Sequence, residues 1–332
     1  MKVERMDSHL KVLSTGLAVP EKILTNHDLE KMVDTSDEWI VTRTGVRERR
    51  ISDPGIASSD LGTQAAQMAI ESAGMTAEDI DLIIVATASA DYLFPSTACV
   101  IQKNLKASRA TAFDLSAACS GFLYGLTVSY SLLSSGFYRN ALIIGTETLT
   151  KLTDYRDRST CILFGDGAGA MLVTLENDTN GIFSSHLGSD GSYTSLLNLP
   201  AGGTRQPASH DTVEQRQHFI KMEGNELFKV AVRSMEDAAR ITLKKAGYNI
   251  EDIDLLIPHQ ANVRIINALV KRLGISKDRV YTNIDRYGNT SAASIPIAYH
   301  EAREQGLVEK DSLVLMVAFG GGITWASVLL RG

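Results

Sequence analysis

The chain has 332 residues, 44% of them hydrophobic, enough for one large or two ordinary cored domains. Its 33 Lys and Arg against 39 Asp and Glu leave a net charge of −6, which argues against the basic field of a general nucleic-acid binder. Three cysteines (Cys99, Cys119 and Cys161) are too few and odd in number for a disulfide framework, and suit a reducing cytosol. The opening MKVERMDSHLKV has no signal-peptide h-region and no apolar run reaches a membrane span. No CxxC or HExxH is present, so no metal site is expected.

In chain order, LKVLSTG (10–16) reads as a first strand. LGTQAAQMAIES (61–72) has helical period, and AGMTAEDIDLIIVATAS (73–89) follows as glycine stop, loop and short buried strand. TAFDL (111–115) is strand-like and gives way to the helix-like GFLYGLTVSYSLL (121–133). NALIIGTET (140–148) and CILFGDGAGAMLVTL (161–175) are further strand signals. The stretch from Asn177 to Gln217 is rich in Gly, Ser, Asn and Thr and reads as connection and surface loop. SMEDAARITLKK (234–245) is helical, then AGYNIEDIDLLIPHQAN (246–262) repeats the earlier helix–stop–strand unit. NVRIINALVKRL (262–273) is an amphipathic helix, and LVLMVAFGGG (313–322) and ITWASVLL (323–330) are closing strands. Apolar runs of this kind imply strands covered on both faces, an α/β architecture.

The repeat runs without a gap from Ala73 to Ser89 and from Ala246 to Asn262, a shift of 173 residues. That period is too long for a solenoid unit and predicts two similar α/β halves, 1–176 and 177–332.

Cys119 lies in FDLSAACSGF (113–122), among small side chains where a strand hands over to a helix. A helix N-terminus favours negative charge and lowers a thiol below its free pKa of roughly 8.5, which predicts a reactive thiolate; a buried structural cysteine is the competing reading. His259, in PHQAN, follows the second-copy strand, at the sheet edge where open α/β folds bind ligands; its first-copy counterpart is Ala86. Asn289 stands in DRYGNTSAASIP, and Phe319 opens the FGGG run whose backbone can approach a ligand closely. Cysteine, histidine and asparagine in that order suggest a papain-like thiol hydrolase, but the CGSCW-type signature is absent, the cysteine is far from the N-terminus, and the duplication has no place there.

Together these segments resemble the β-ketoacyl-acyl-carrier-protein synthase III family of the thiolase superfamily. TSDEWIVTRTGVRERR (35–50), AACSGF, DRSTCILFGDGAGA (157–170), MEGNELFKVAV (222–232), PHQANVRI, GNTSAASIP and FGGGITW occur in that family's order over essentially the whole chain. The resemblance implies a thiolase-like fold, two halves stacked as αβαβα, and a cytoplasmic homodimer. It implies decarboxylative condensation of a short acyl-CoA with malonyl-acyl carrier protein (ACP), starting fatty-acid synthesis without a cofactor, a metal, nucleic acid or a membrane.

By resemblance, Cys119 carries the acyl group, His259 and Asn289 stabilise the enolate formed as carbon dioxide leaves, and the N–H groups of Cys119 and Gly321 form the oxyanion hole. AFGGG lacks the second cysteine of the thiolases, which favours decarboxylation over deprotonation of acetyl-CoA. The resemblance further assigns Trp39 and Arg158 to the CoA adenine, and Arg43, Asn225, Phe228, Ala261, Asn262 and Phe319 to CoA or substrate. It puts Phe94 at the end of the acyl pocket. Lys229, Gln260, Arg264, Lys271 and Arg272 are the expected ACP contacts; no acidic residue occurs between Leu255 and Lys277, so the patch would attract an acidic partner. Ala326 stands where the family usually has glycine. A synthase of specialised metabolism with another primer or acceptor is the runner-up, and a non-enzymatic partner subunit is disfavoured because all three residues are kept.

Overall fold

The computed structural model describes residues 9–176 and 183–332. The half boundary drawn at 176/177 falls where the undescribed residues 177–182 begin. Nine strands form two central sheets. The first holds β1 (His9–Ala18), β2 (Leu82–Ala86), β3 (Thr111–Leu115), β4 (Asn140–Thr148) and β5 (Asp166–Glu176) in the order β1-β5-β4-β2-β3. The second holds β6 (Phe183–Ser189), β7 (Leu255–Pro258), β8 (Leu313–Gly320) and β9 (Thr324–Arg331) in the order β7-β8-β9-β6.

The two sheets repeat one another. β2 pairs in parallel with β3 and β4, β4 antiparallel with β5, and β5 antiparallel with β1. In the second sheet β7 pairs in parallel with β8, β8 antiparallel with β9, and β9 antiparallel with β6. The counterpart of β3 is reduced to one parallel bridge between Leu256 and Val280. Every residue of β2, β7 and β8 is buried, as their unbroken apolar runs require.

The duplicated sequence performs the same local work twice. Gly74 and Gly247 follow their helices with φ +66° and +79°, conformations that glycine adopts without a Cβ clash. The Asp81 carboxylate accepts from Arg139 N–H at 2.9 Å just before β4, and Asp254 from Leu313 N–H at 2.8 Å at the start of β8. Each aspartate fixes the strand that pairs in parallel beside its own.

Helices complete five layers. On the outer face of the first sheet, α2 (Ser58–Ser72) and α3 (Thr97–Leu105) bury Leu61, Ala65, Ala69 and Ile101 against Ile83, Val85, Leu142 and Ile144. On the outer face of the second, α5 (Gly224–Ala246) and α6 (Val263–Leu273) bury Met235, Ala239, Ile266 and Leu269 against Leu256, Leu315 and Val317. Between the sheets lie α4 (Gly121–Ser134) and α7 (Ser294–Glu304), where Phe122, Leu126, Ile295 and Tyr299 share one core with Ile84, Ile143, Ile257, Met316 and Val328. This is the duplicated αβαβα arrangement the sequence implies. A short helix, α1 (Asp37–Thr44), lies outside these layers; the site where a Gly45 Cβ would project is 2.7 Å from Val263 at the start of α6.

Candidate active site

Cys119 sits in a 3-10 turn, Ala118–Ser120, that runs straight into α4. Ala118 holds φ +47°, a strained value for a residue with a Cβ, so the surroundings must fix it. They come from the second half. Thr324 Oγ1 donates to Ala117 O at 2.8 Å, and Ser120 Oγ donates to Thr324 O at 3.2 Å. Gly320 backs the turn so closely that a Cβ there would lie 2.7 Å from Cys119 N.

The placement at a helix start is as expected, but the thiol is not acidic. Burial pushes Cys119 up to about 12, the nearby Glu147 carboxyl adds to the rise, and a hydrogen bond with Ser291 opposes it. Desolvation of a thiolate outweighs the helix start here, because the sulfur lies under the second half and out of water.

His259 continues the β7–β8 pairing, its N–H donating to Val317 O at 2.8 Å. Its ring Nδ1 is 2.6 Å from Ser294 Oγ at the start of α7, and Ser294 Oγ also accepts from Gln260 N–H at 3.4 Å. We assign the Ser294 hydroxyl as the donor to Nδ1, the tautomer that places the imidazole proton on Nε2. Burial lowers His259 to about 3, so the ring is neutral.

Asn289 is pinned by the first half. Its N–H donates to Leu163 O at 2.8 Å and its carbonyl accepts from Gly165 N–H at 3.1 Å. Gly288 makes this approach possible: its φ is +65°, and a Cβ there would stand 2.7 Å from Leu163 O. The Asn289 Oδ1 accepts from Ser291 N–H at 2.9 Å, so the amide NH2 is the free end.

Cys119, His259 and Asn289 line one narrow cavity of about 80 Å³ together with Phe228, Ala261, Asn262, Phe319 and Gly320. Leu163, Phe164, Leu197, Met222, Leu227 and Ile265 give it an apolar wall. These wall residues escaped the sequence reading because an apolar residue of a strand or helix is indistinguishable from core by pattern alone. A wider groove of about 490 Å³, between residues 9–12 and 308–311, is lined by no cysteine, serine or threonine. Asn225 is exposed at the start of α5 and Gly321 packs its backbone near Leu197; neither lines the cavity.

At the rim, Trp39 is flanked by two guanidiniums: Arg158 stands 4.8 Å and Arg43 4.9 Å from its ring centroid. Arg158 also donates to Asp34 O at 2.9 Å. Arg264 lies 5.8 Å from the Phe228 ring, and Lys271 and Arg272 are exposed further along α6. Arg272 is paired with Glu236 at 2.8 Å and Lys229 with Glu226 at 2.8 Å.

Two expectations are corrected. Gln260 is only 1% exposed and cannot meet a partner protein. Its Nε2 donates to Pro258 O at 2.7 Å and its Oε1 accepts from Asn283 N–H at 3.1 Å, so the side chain satisfies buried backbone. Phe94 is 87% exposed, beside exposed Tyr92 and Leu93 on the loop after β2, and does not line the cavity of its own chain.

The chain matches the models of 3-oxoacyl-[acyl-carrier-protein (ACP)] synthase III over residues 113–191 and of that enzyme's C-terminal part over residues 243–332. A β-ketoacyl-[acyl-carrier-protein] synthase III from Caldanaerobacter subterraneus is 56% identical over 96% of this chain and 97% of its own. One from Natranaerobius thermophilus is 52% identical over 98% and 99%. The crystal structure of the Aquifex aeolicus 3-oxoacyl-[acyl-carrier-protein] synthase III superposes with a TM-score of 0.90 at 51% identity, covering 97% of this chain and all of that one.

Proposed function

The chain belongs to the 3-oxoacyl-[acyl-carrier-protein] synthase III family, a condensing acyltransferase of fatty-acid synthesis on the thiolase-like fold, and on that premise we propose that Cys119, His259 and Asn289 carry its chemistry. The observation that supports this is their convergence: residues 119, 259 and 289 come from three separate loops of the two halves and share one cavity. Cys119 attacks the thioester carbonyl of a short acyl-CoA, the C–S bond to CoA breaks, and the acyl group stays on the sulfur. A nucleophile of this kind splits one hard step into two easier ones. The N–H of Cys119 is proposed to receive the oxyanion, with the N–H of Gly321, the residue after the cavity-lining Gly320, as the second donor by resemblance.

Malonyl-ACP then enters. The His259 Nε2–H and the Asn289 NH2 bond its thioester carbonyl, and carbon dioxide loss leaves an enolate that these donors stabilise. The α-carbon attacks the acyl-Cys119 carbonyl, and the thiolate leaves with release of 3-oxoacyl-ACP. Decarboxylation supplies the carbanion, so neither a strong base nor a cofactor enters the sequence of steps. Mass spectrometry of the enzyme after acetyl-CoA tests the assignment: Cys119 should gain one acetyl group, and Cys119→Ala should gain none.

We assign the CoA adenine to the Trp39–Arg158 pair and the rest of the CoA arm to Arg43, Asn225, Phe228, Ala261 and Asn262. Arg158 already covers one position over the indole, so the adenine would take a place the guanidinium now shares. Acidic ACP would dock on Arg264, Lys229, Lys271 and Arg272. A homodimer would cover Tyr92, Leu93 and Phe94, whose large side chains are left bare in one chain. Phe94 then serves as the end of an acyl pocket only if that pocket is the partner's. No helix of the described residues is long and apolar enough to cross a membrane, and with the cysteine usage we place the enzyme in the cytoplasm.

A further inference from the structure

Asn289 reaches the cavity at the end of a segment that leaves the second sheet and crosses to the first half. The segment starts where Tyr281 N–H donates to Leu256 O of β7 at 3.0 Å, and it ends where Asn289 pairs with Leu163 and Gly165. One carboxylate holds its middle. Glu301 of α7, its side chain only 12% exposed, accepts from Tyr281, Asn283, Arg286 and Tyr287. Tyr287 Oη donates to Oε1 at 2.7 Å, Asn283 Nδ2 to Oε2 at 2.7 Å and Tyr281 Oη to Oε2 at 3.2 Å. The Arg286 guanidinium spans both oxygens, at 2.9 Å and 3.0 Å. Burial works against the anion, yet the hydrogen bonds from Asn283, Arg286 and Tyr287 hold the carboxyl below the ordinary carboxylate range.

The carboxylate joins the two loops that carry the enolate donors. At one end, Asn283 N–H donates to Gln260 Oε1 at 3.1 Å and Gln260 Nε2 donates to Pro258 O at 2.7 Å, which ties Asn283 to the loop of His259. At the other end, only Gly288 separates Tyr287 from Asn289. Helix α7 serves both: Ser294, beside His259 Nδ1, and Glu301 stand seven residues apart, two turns along one face. Gly288, with φ +65°, has no Cβ to restrict its own backbone, so the direction of Asn289 is set by what holds its neighbours. Donors to an enolate oxygen work only where the charge develops, and a misplacement of about 1 Å can cost ~100-fold. We propose that Glu301 is a positioning residue for condensation: through Arg286 and Tyr287 it sets the Asn289 NH2 against the His259 Nε2–H, so that both donors meet one oxygen. Glu301 does not line the cavity, and the Cys119 turn is held by Thr324 and Gly320 instead, so acylation does not depend on it.

The proposal rests on Asn289 being a donor to the enolate, and one set of variants separates the two. Malonyl-ACP decarboxylation is read as labelled carbon dioxide, and acetylation of Cys119 as protein mass. If Asn289→Ala decarboxylates at the wild-type rate, the underlying assignment fails and this one with it. If Asn289→Ala is slow, Glu301→Gln should lower kcat for decarboxylation ~10–100-fold, with the KM for malonyl-ACP and the acetylation rate within ~3-fold of wild type. The double variant Glu301→Gln/Asn289→Ala should stay within ~2-fold of Asn289→Ala alone, because a carboxylate that acts through Asn289 then has nothing to position. Wild-type decarboxylation in Glu301→Gln, an equal loss of both half-reactions, or losses that multiply in the double variant would each overturn the role. Should Glu301→Gln fail to fold, Tyr287→Phe removes one hydroxyl donor to Oε1 and decides by the same cycle, with an expected loss of ~3–10-fold that disappears beside Asn289→Ala.

Discussion

Ala118 and Ser291 hold the same left-handed backbone, φ +47° and +46°, at positions separated by the offset of the sequence repeat. Each opens a 3-10 turn that leads into a central helix, α4 or α7, and each turn is backed by the end of a strand from the other half. Gly320 of β8 lies against Cys119, and Gly145 of β4 against Ala292, where a Cβ would come 2.3 Å from the Ala292 carbonyl. The site is thus the place where two copies of one junction face each other. One copy carries Cys119; the other carries Asn289. Strain at both turns is maintained by packing from the opposite half, so the halves are required together for either turn to hold.

This division predicts a split in the half-reactions. His259→Ala and Asn289→Ala remove donors to the enolate oxygen and leave the nucleophile turn in place. Each should leave acetylation of Cys119 within a few-fold of wild type and slow malonyl-ACP decarboxylation ~100–1,000-fold, the cost of losing one preorganised oxyanion donor. Labelled carbon dioxide release and protein mass read the two steps separately. Equal loss of both would count against the roles given.

The pH dependence has a definite sign. His259 is lowered from 6.5 to about 3 in the folded chain, so between those values the unfolded chain binds the extra proton. Stability therefore rises with pH across that window and is lost on acidification, by an amount on the order of a few kcal/mol for so buried a ring. His259→Gln should flatten the slope of Tm between pH 6 and pH 4 relative to wild type. Decarboxylation, in turn, should show no histidine ionisation between pH 5 and 8; an ionisation of Nε2 in that range would sink the neutral-imidazole assignment.

Much of this arrangement is legible in the sequence, and the reasons are physical. The repeat exposes the topology because each copy must stop a helix, cross a loop and start a buried strand with the same residues, down to Asp81 and Asp254. Cys119, His259 and Asn289 are legible because small or glycine-rich neighbours mark strand ends. Other features depend on contacts between distant segments. Gln260 looks like a surface glutamine until its side chain is seen satisfying Pro258 and Asn283. Glu147 is one charge at the edge of an apolar strand, and only folding brings the Ala292 N–H to it from far along the chain. The high pKa of Cys119 is hidden for the same reason, since its cause is the second half lying over the sulfur.

Gly320 gives a steric test of that contact. A Cβ at Gly320 would meet Cys119 N at 2.7 Å, and backbone cannot yield as a flexible side chain does. Gly320→Ala should slow acylation by at least ~10-fold and lower Tm, because the turn must shift or the β8–β9 hairpin must lift. Gly121→Ala is the comparison: its nearest neighbour is the Ala86 Cβ at 3.1 Å, which a few tenths of an ångström relieve. Acylation nearly unchanged in Gly320→Ala would mean that the nucleophile turn is not held by the second half.

The basic face of α6 is testable by charge reversal because its members differ in their partners. Arg272 is already engaged by Glu236, and Lys229 by Glu226, whereas Arg264 stacks on Phe228 at the cavity wall and Lys271 is exposed. Lys271→Glu and Arg264→Glu should raise the KM for malonyl-ACP ~5-fold or more at low salt, and Lys271→Glu should leave acetylation by acetyl-CoA close to wild type, since opposite charge mainly steers encounter. The effect should shrink as salt rises, because exposed pairs are screened within a Debye length of about 8 Å at physiological ionic strength. Arg264→Glu should exceed Lys271→Glu, because the Arg264 guanidinium sits over Phe228 and its loss also disturbs the wall of the cavity. A KM for malonyl-ACP that stays constant in both variants and at all salt concentrations would place the carrier protein on a different face.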